Sequence, residues 1–461
     1  MNRVSPLYIL IVCFAGISLP AAAQAPPIAI PANDFGPVWT GFYAGAAFGA
    51  GGLVNKLNSS GGGVSTAFNG AGQSGVLGSI YGGVDYQITQ RGIVGLLGEL
   101  SYGGFQGTVN ATTAAGTAAS VSQNSGFGWS VLARAGFLAS PSTLLYLAGG
   151  YTGQMIHSSA FASGPGGTAN ASTNSTVNGW TVGPGFESML TSNLSAKLEY
   201  RYSQFGSQTI AGTGIAMQPS SHALRVGLSY RFGGLGVVSS GESFGSGYQP
   251  PFNWTGVYGG VAAGGGMGFG RVNAVAGGNS AAFDSGGQGL LGGFFGGADW
   301  QFSPRAVAGV LGDFTWQGLQ SSATITTPFG GAYASAQANR QWSVMGRLGW
   351  LPVPSTLLYA AGGYSQLNVQ STVSGNAFGA AAFGQSNTTF NGFTVGPGIE
   401  TAVTGGWTTR LEYRFSQFEQ QQLAPGVSLQ PSNHTIRAGL SYKFGIGPTI
   451  GAGTSTAQAG E

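Results

Sequence analysis

The sequence predicts an all-β chain, a transmembrane antiparallel β-barrel made as two tandem eight-stranded barrels. Three observations carry this. First, the chain of 461 residues is 42% hydrophobic and 12% aromatic but only 6% charged, against about 25% charge in an ordinary soluble protein. Its 86 glycines would also suit a flexible low-complexity chain, but disordered chains are poor in aromatics. Second, beyond the leader there is no uninterrupted apolar run long enough for a spanning helix. In hydrocarbon only helices and closed barrels pair all their backbone groups, so strands must do the spanning. Third, segments alternating with period two recur through the chain, and the whole series occurs twice.

Residues 1–23 read as a cleaved secretory signal peptide, with Arg3 at the start, an apolar run from Leu7 to Leu19, and Ala21, Ala22 and Ala23 as the cut site. Val12 stands before Cys13 where a lipoprotein needs a small residue, and Cys13 is the only cysteine. The mature chain therefore has neither a disulfide nor a thiolate metal site. Residues 24–35 are an N-terminal extension. The net charge is +3 with no Lys/Arg cluster, which argues against nucleic acid as a partner.

In the first copy, residues 36–232, strands are expected near 38–49, 76–88, 92–104, 126–138, 143–155, 177–188, 194–205 and 222–232. Their lengths suit tilted transmembrane strands. Connections alternate between short ones, "TQR", "ASPS" and "LTSN", and long ones rich in Gly, Ala, Ser, Thr and Asn. Short periplasmic turns and long extracellular loops mark outer-membrane barrels. The second copy, residues 253–444, repeats the rhythm: "PSTLLYLAGGY" returns as "PSTLLYAAGGY", and "GWTVGPGFE" as "GFTVGPGIE". Pro184 and Pro397 fall inside the sixth strand of each copy, where a missing ladder donor predicts a bulge or bend.

The charges set the register. In "LSAKLEYRYSQF", Leu194, Ala196, Leu198, Tyr200 and Tyr202 share one face, and Lys197, Glu199 and Arg201 share the other. A slip of one residue would drive three charges into lipid, at a cost on the order of 5–10 kcal/mol. The inward phase also takes Asp85, Glu99, Arg134, Glu187, Arg225 and Arg231. The second copy gives Asp299, Asp313, Arg347, Glu400, Arg410, Glu412, Arg414, Arg437 and Lys443. Each set has four acids and five bases. An eight-stranded lumen is just wide enough for side chains to fill, so these residues are expected to form a salt-bridge network that plugs each barrel. Charges lining a wet channel are the alternative.

Each copy has its own charge set and its own aromatic closing strand, and residues 233–252 read as a Gly/Ser/Pro linker. These features favour two barrels. One sixteen-stranded barrel stays open as the alternative. Residues 445–461 are expected to be a flexible tail. Trp39, Tyr43, Tyr230, Trp254, Tyr258 and Tyr442 suit aromatic girdles, although the facing of the first strand is ambiguous.

"WTGFYAG" after a signal peptide, "LEYRYSQF" and the final "HALRVGLSYRF" resemble the small outer-membrane immunogenic proteins of Gram-negative bacteria, OmpA-like eight-stranded barrels grouped with the porin family. The resemblance covers 36–232 and 253–444. It implies an outer-membrane location reached by the secretory route, with outer-membrane lipid as surroundings. It also implies a barrel-assembly machinery that reads a terminal aromatic, matched by position by Phe232 and Phe444; the closing strands also carry the aromatics Tyr230 and Tyr442. The tandem arrangement departs from the usual single barrel, and neither phenylalanine ends the chain.

No catalytic, cofactor or metal constellation emerges. "GESFG" at 241–245 matches a nucleophile elbow only as letters, because no strand, turn and helix surround it. The glycine runs contain no Gly-Lys pair for a phosphate loop. His222 and His434 occupy equivalent sites at the outer end of the eighth strand, read as polar residues at the lipid–water boundary; a mouth-facing catalytic role is the alternative. The expected function is structural or surface-interacting, through the extracellular loops. A passive diffusion porin is the first alternative and an outer-membrane enzyme the second.

Overall fold

The computed structural model describes residues 39–61, 63–210, 215–232, 252–377 and 380–445, and the regular structure among them is entirely β-strand. The leader, most of the linker with "GESFG", and nearly all of the tail lie outside the described residues. Eight staves make the first ring. They are β1 (Gly41–Gly61), β2 (Val64–Gln87), β3 (Gly92–Gly103) continued by β4 (Gln106–Thr112), and β5 (Ala118–Ser140). Then come β6 (Thr143–Gly164), β7 (Gly167–Met189), β8 (Leu194–Phe205) continued by β9 (Gln208–Ile210), and β10 (Ile215–Arg231). Sequential neighbours pair antiparallel, and β10 returns to β1 from Tyr43↔Arg231 to Ser59↔Ile215.

The second ring repeats the first. Its staves are β11 (Gly256–Ala276), β12 (Asn279–Ser303), β13 (Ala306–Thr327) and β14 (Gly330–Val353). They are followed by β15 (Thr356–Ala377), β16 (Ala380–Thr404), β17 (Trp407–Phe418) continued by β18 (Gln421–Ala424), and β19 (Val427–Gly445). This ring closes by β11–β19, from Gly256↔Gly445 to Ala274↔Val427. Each copy therefore closes on itself.

The long connections differ from expectation. Most are not loops but upward continuations of the strands, so that β2, for example, has 24 residues and β12 has 25. Small polar residues read as loop in a sequence, yet they also make strands where neither face is fixed by lipid or by a packed lumen. At this tall end the two rings exchange partners. β2 pairs with β13 from Ser322↔Asn69 to Thr326↔Ser65, and β4 pairs with β12 from Ser280↔Thr112 to Phe283↔Val109. β2 keeps β1 on one edge to Gly61↔Val64 while its other edge passes from its own ring to β13, and its register with β1 shifts at Asn55/Lys56, where Gly70 has φ +142°. A bulge with a glycine there redirects the strand. Following the pairs around the crown visits sixteen staves: β1, β2, β13, β14, β15, β16, β17/β18, β19, β11, β12, β4, β5, β6, β7, β8/β9 and β10. Both sequence alternatives are thus present at different heights, as two eight-stave rings below and one sixteen-stave circuit above.

Below the crown the rings touch through their outer walls. Phe186, Leu198 and Leu224 of the first form one buried cluster with Ile399, Leu411, Tyr413 and Ile436 of the second. These are corresponding positions on corresponding strands, so the contact has the self-complementary character of a twofold interface. The Thr143 and Thr356 hydroxyls, also equivalent, lie 3.0 Å apart. Part of the apolar outer wall therefore faces the other barrel rather than lipid. Elsewhere the outer wall is exposed and apolar, as at Phe48, Ile80, Leu96, Val131, Leu228, Val310 and Leu348. Trp342 and Trp350, both exposed on β14, are separated by about 26 Å of strand at ~3.3 Å per residue, comparable to an apolar band about 25 Å tall.

The prolines make no bulge. On the β8 side the ladder runs to Val182↔Tyr202 and resumes at Gly185↔Glu199 in unchanged register, and on the β6 side Leu147↔Pro184 is an ordinary pair. Pro397 behaves alike between Val395↔Phe415 and Gly398↔Glu412. The missing donor is absorbed as a local gap in one ladder.

Candidate functional site

The charged residues on β2, β3, β5, β7, β8 and β10 all point into the first lumen, because the period-two alternation holds across the transmembrane stretch. They meet there in two storeys. In the lower, Arg134 Nε donates to Asp85 Oδ1 at 2.7 Å and its Nη1 to Glu187 Oε2 at 2.9 Å. Arg231 Nη2 donates to Asp85 Oδ2 at 2.9 Å and to Glu187 Oε1 at 3.0 Å, and its Nη1 to the Trp39 carbonyl at 2.9 Å. β3 separates β2 from β5, and β6 separates β5 from β7. An ion pair between strands that are not neighbours has only the lumen to cross.

In the upper storey Arg201 holds both oxygens of Glu99, at 3.1 and 2.9 Å, and also pairs with Glu199. The Tyr146 hydroxyl donates to Glu199 Oε2 at 2.7 Å. Lys197 Nζ lies 3.8 Å from Glu199 and 3.4 Å from the centre of the Tyr81 ring. Arg225 Nη1 lies 2.9 Å from Glu99 Oε1.

The second lumen repeats this residue by residue. Below, Arg347 Nε donates to Asp299 Oδ1 at 2.7 Å and Nη1 to Glu400 Oε2 at 2.9 Å. Lys443 stands where the first barrel has Arg231, pairs with Asp299, and donates to the Trp254 carbonyl at 3.1 Å. Above, Arg414 Nη1 donates to Asp313 Oδ1 at 2.8 Å and Nε reaches Glu412, while Arg437 Nη1 lies 3.2 Å from Asp313. The Tyr359 hydroxyl donates to Glu412 at 2.7 Å. Of the eighteen predicted lumen residues, seventeen join ion pairs; Arg410 instead lies 3.2 Å over the Phe295 ring, as Lys197 lies over Tyr81. Seventeen are buried, and the side chain of the other, Asp313, is 2% exposed. Among the described residues the one further ion pair, Arg271–Asp284 at 3.1 Å, is largely exposed.

Apolar packing lies on either side of the charges in the first lumen. Trp39, Tyr43, Leu97, Leu138, Leu144 and Met189 help floor the first lumen, and Leu53, Leu77, Phe105, Ile156, Val177 and Phe205 cap it. Trp39, Tyr43, Trp254 and Tyr258 therefore sit inside rather than in girdles, whereas Tyr230, Phe232, Tyr442 and Phe444 are exposed on the outer wall. The Arg134 guanidinium lies 4.5 Å from the Tyr43 ring and 5.1 Å from that of Tyr146. Gly185 makes room for Tyr146, since a Cβ there would fall within its ring. The tyrosine pair Tyr146 and Tyr359 escaped the sequence reading, though their identical places in the repeated "PSTLLY" were the available signal.

The histidines are also corrected. His222 is buried in the seam between the barrels, and His434 is buried among aromatic residues of its own copy. His222 Nε2 is 2.9 Å from Gln288 Oε1 of β12, and His434 packs against Phe269 and Phe415. Among the described residues no group of His, Cys, Asp and Glu is suited to a metal ion.

A family model described as "Outer membrane protein beta-barrel domain" matches residues 9–232 and again 245–444. The 31 kDa outer-membrane immunogenic protein of Brucella melitensis biotype 1 is 29% identical over 171 residues, covering 36% of this chain and 70% of that protein. The 25 kDa outer-membrane immunogenic protein of Brucella abortus biovar 1 is 41% identical over 56 residues, covering 12% of this chain and 26% of that protein. Among solved structures, Neisserial surface protein A aligns at 18% identity with TM-score 0.23, covering 42% of this chain and 98% of its own.

Proposed function

This chain belongs to the outer membrane protein beta-barrel family, carries that domain twice and resides in the outer membrane, and we propose that it works there as a non-conducting structural and surface-presenting protein with two charge-plugged lumens. One observation carries the reading. Ion pairs from Arg134 to Asp85 and to Glu187, and from Arg201 to Glu99, bridge strands that are not neighbours and so run across the lumen. Buried pairs satisfied on both sides are hard to open, because separating them strands charge in a low-dielectric interior. Apolar floor and cap layers above and below leave little path for a hydrated solute.

In this reading the short turns are periplasmic and the tall hairpins extracellular, the usual asymmetry of such barrels. The crown then stands outside the membrane as a rigid platform rather than as mobile loops. It carries few charges, which suits presentation of a neutral, hydroxyl-rich surface. Outer-membrane lipid covers the free outer walls. The barrel-assembly machinery engages the chain during biogenesis, with Tyr230 and Phe232 or Tyr442 and Phe444 as the aromatic signal. No catalytic role is assigned to the buried charges, seventeen of which join ion pairs.

Conductance across planar bilayers tests this. The full-length protein is expected to insert without stable, large current steps. Reproducible ohmic steps from properly folded protein would make it a diffusion porin and overturn the plug.

A further inference from the structure

The layer directly above the upper ion cluster differs between the two lumens. In the second barrel it is filled by amides: Gln317 Nε2 donates to Gln341 Oε1 at 2.6 Å, and Asn433 Nδ2 donates to the same oxygen at 2.8 Å. The equivalent residues of the first barrel are Gly103, Gly128 and Ser221. Their small size leaves a cavity of about 20 Å³, lined by Gly103, Thr152, Thr181, Ser221, Arg201 and Arg225 among others. A space of roughly 10–15 Å³ suffices for one water-sized particle, so this one takes a single small occupant and no oxyanion such as sulfate.

The surrounding charge favours an anion. The upper cluster has three cations, Lys197, Arg201 and Arg225, against two carboxylates, Glu99 and Glu199. The second barrel's upper cluster, Arg410, Arg414 and Arg437 against Asp313 and Glu412, carries the same surplus, but its amide layer leaves no such space. Arg225 lines the cavity, is 8% exposed, and its Nε and Nη1 find no acceptor at hydrogen-bonding geometry, even though Nη1 lies 2.9 Å from Glu99. A buried guanidinium with unclaimed N–H groups is destabilising, and an arginine has no neutral form in a protein to retreat to.

We propose that this cavity binds one monovalent anion of the halide class, held by the Arg225 and Arg201 guanidinium groups. The site goes beyond the plug reading, and its test reads stability and occupancy rather than conductance. Full-length protein, refolded in detergent, is melted in sodium gluconate with chloride substituted at constant ionic strength. The midpoint is expected to rise with the logarithm of one plus the ratio of chloride to its dissociation constant, as one-site linkage requires. At chloride about 100-fold above its dissociation constant, the folded-to-unfolded ratio rises about 100-fold. The double variant Ser221→Asn with Gly103→Gln, copying the second barrel's own residues, is expected to lose the response, while Arg271→Gln on the exposed pair keeps it. Superimposed melts in chloride and gluconate overturn the site, as does a full chloride response in the cavity-filled variant. Crystals grown with bromide decide independently of any variant's folding. Anomalous density against Arg225 supports the proposal, and its absence there at saturating bromide refutes it.

Discussion

Arg134 pairs with both Asp85 and Glu187 across the lower storey, so Arg134→Met tests the ion network. Methionine keeps much of the packing volume between Tyr43 and Tyr146 while removing the charge. Asp85 and Glu187 would then share Arg231 alone, leaving two buried carboxylates for one cation. Breaking a buried pair by removing one partner costs about 3–5 kcal/mol. Adding Asp85→Asn leaves Glu187 and Arg231 as a balanced pair, and about 2 kcal/mol should return as coupling energy. The comparison is Arg271→Met: the Arg271 side chain is 65% exposed, and such pairs contribute about 0–1 kcal/mol. Denaturant unfolding of the refolded full-length protein, followed by tryptophan fluorescence and extrapolated linearly, measures all three. If Arg134→Met and Arg271→Met lose the same small amount, or Asp85→Asn deepens the loss, the network does not hold the lumen together.

Two further outcomes follow from the geometry. Thr143→Cys with Thr356→Cys should form a disulfide tying the two halves, because the hydroxyls lie 3.0 Å apart and bridged Cβ atoms stand about 3.5–4.5 Å apart; a protease site placed in the linker and a non-reducing gel report it, and separate fragments would deny the seam. Gly185→Ala puts a methyl into the Tyr146 ring, so stability should fall by about 1–3 kcal/mol, with Tyr146 no longer holding Glu199; an unchanged unfolding midpoint would contradict the packing.

Much of this was legible in the sequence because membrane and lumen impose opposite demands on alternate residues. Lys197, Glu199 and Arg201 have one tolerable direction, and that direction sets the strand. The readable signal stops where the demand stops. Above the membrane both faces of β2 and β13 meet polar surroundings, so their Ser, Thr, Ala and Gly looked like loop and their exchange of partners left no trace. Leu198 and Leu224 look alike whether they face lipid or another barrel, since both are apolar environments, and the seam was invisible for that reason. Trp39 and Tyr43 were ambiguous because a large ring suits either a girdle or a lumen floor. The cavity beneath the first barrel's cap was written in Gly103, Gly128 and Ser221 against Gln317, Gln341 and Asn433, but only the depth of those positions gives the difference meaning.

The account turns on each copy closing its own ring below the crown, and cross-linking across the closing strands examines this most directly. Past the leader the chain has no cysteine, so introduced pairs report cleanly. Ala46 and Leu228 are direct partners on β1 and β10, and both are exposed. Paired Cα atoms about 4.5–5.5 Å apart fall within disulfide range. Ala46→Cys with Leu228→Cys should cross-link in the folded protein, and Ala46→Cys with Leu440→Cys should not. A cross-link only between 46 and 440 would mean that β1 meets β19 through the full height of the membrane, and that the chain is a single large barrel.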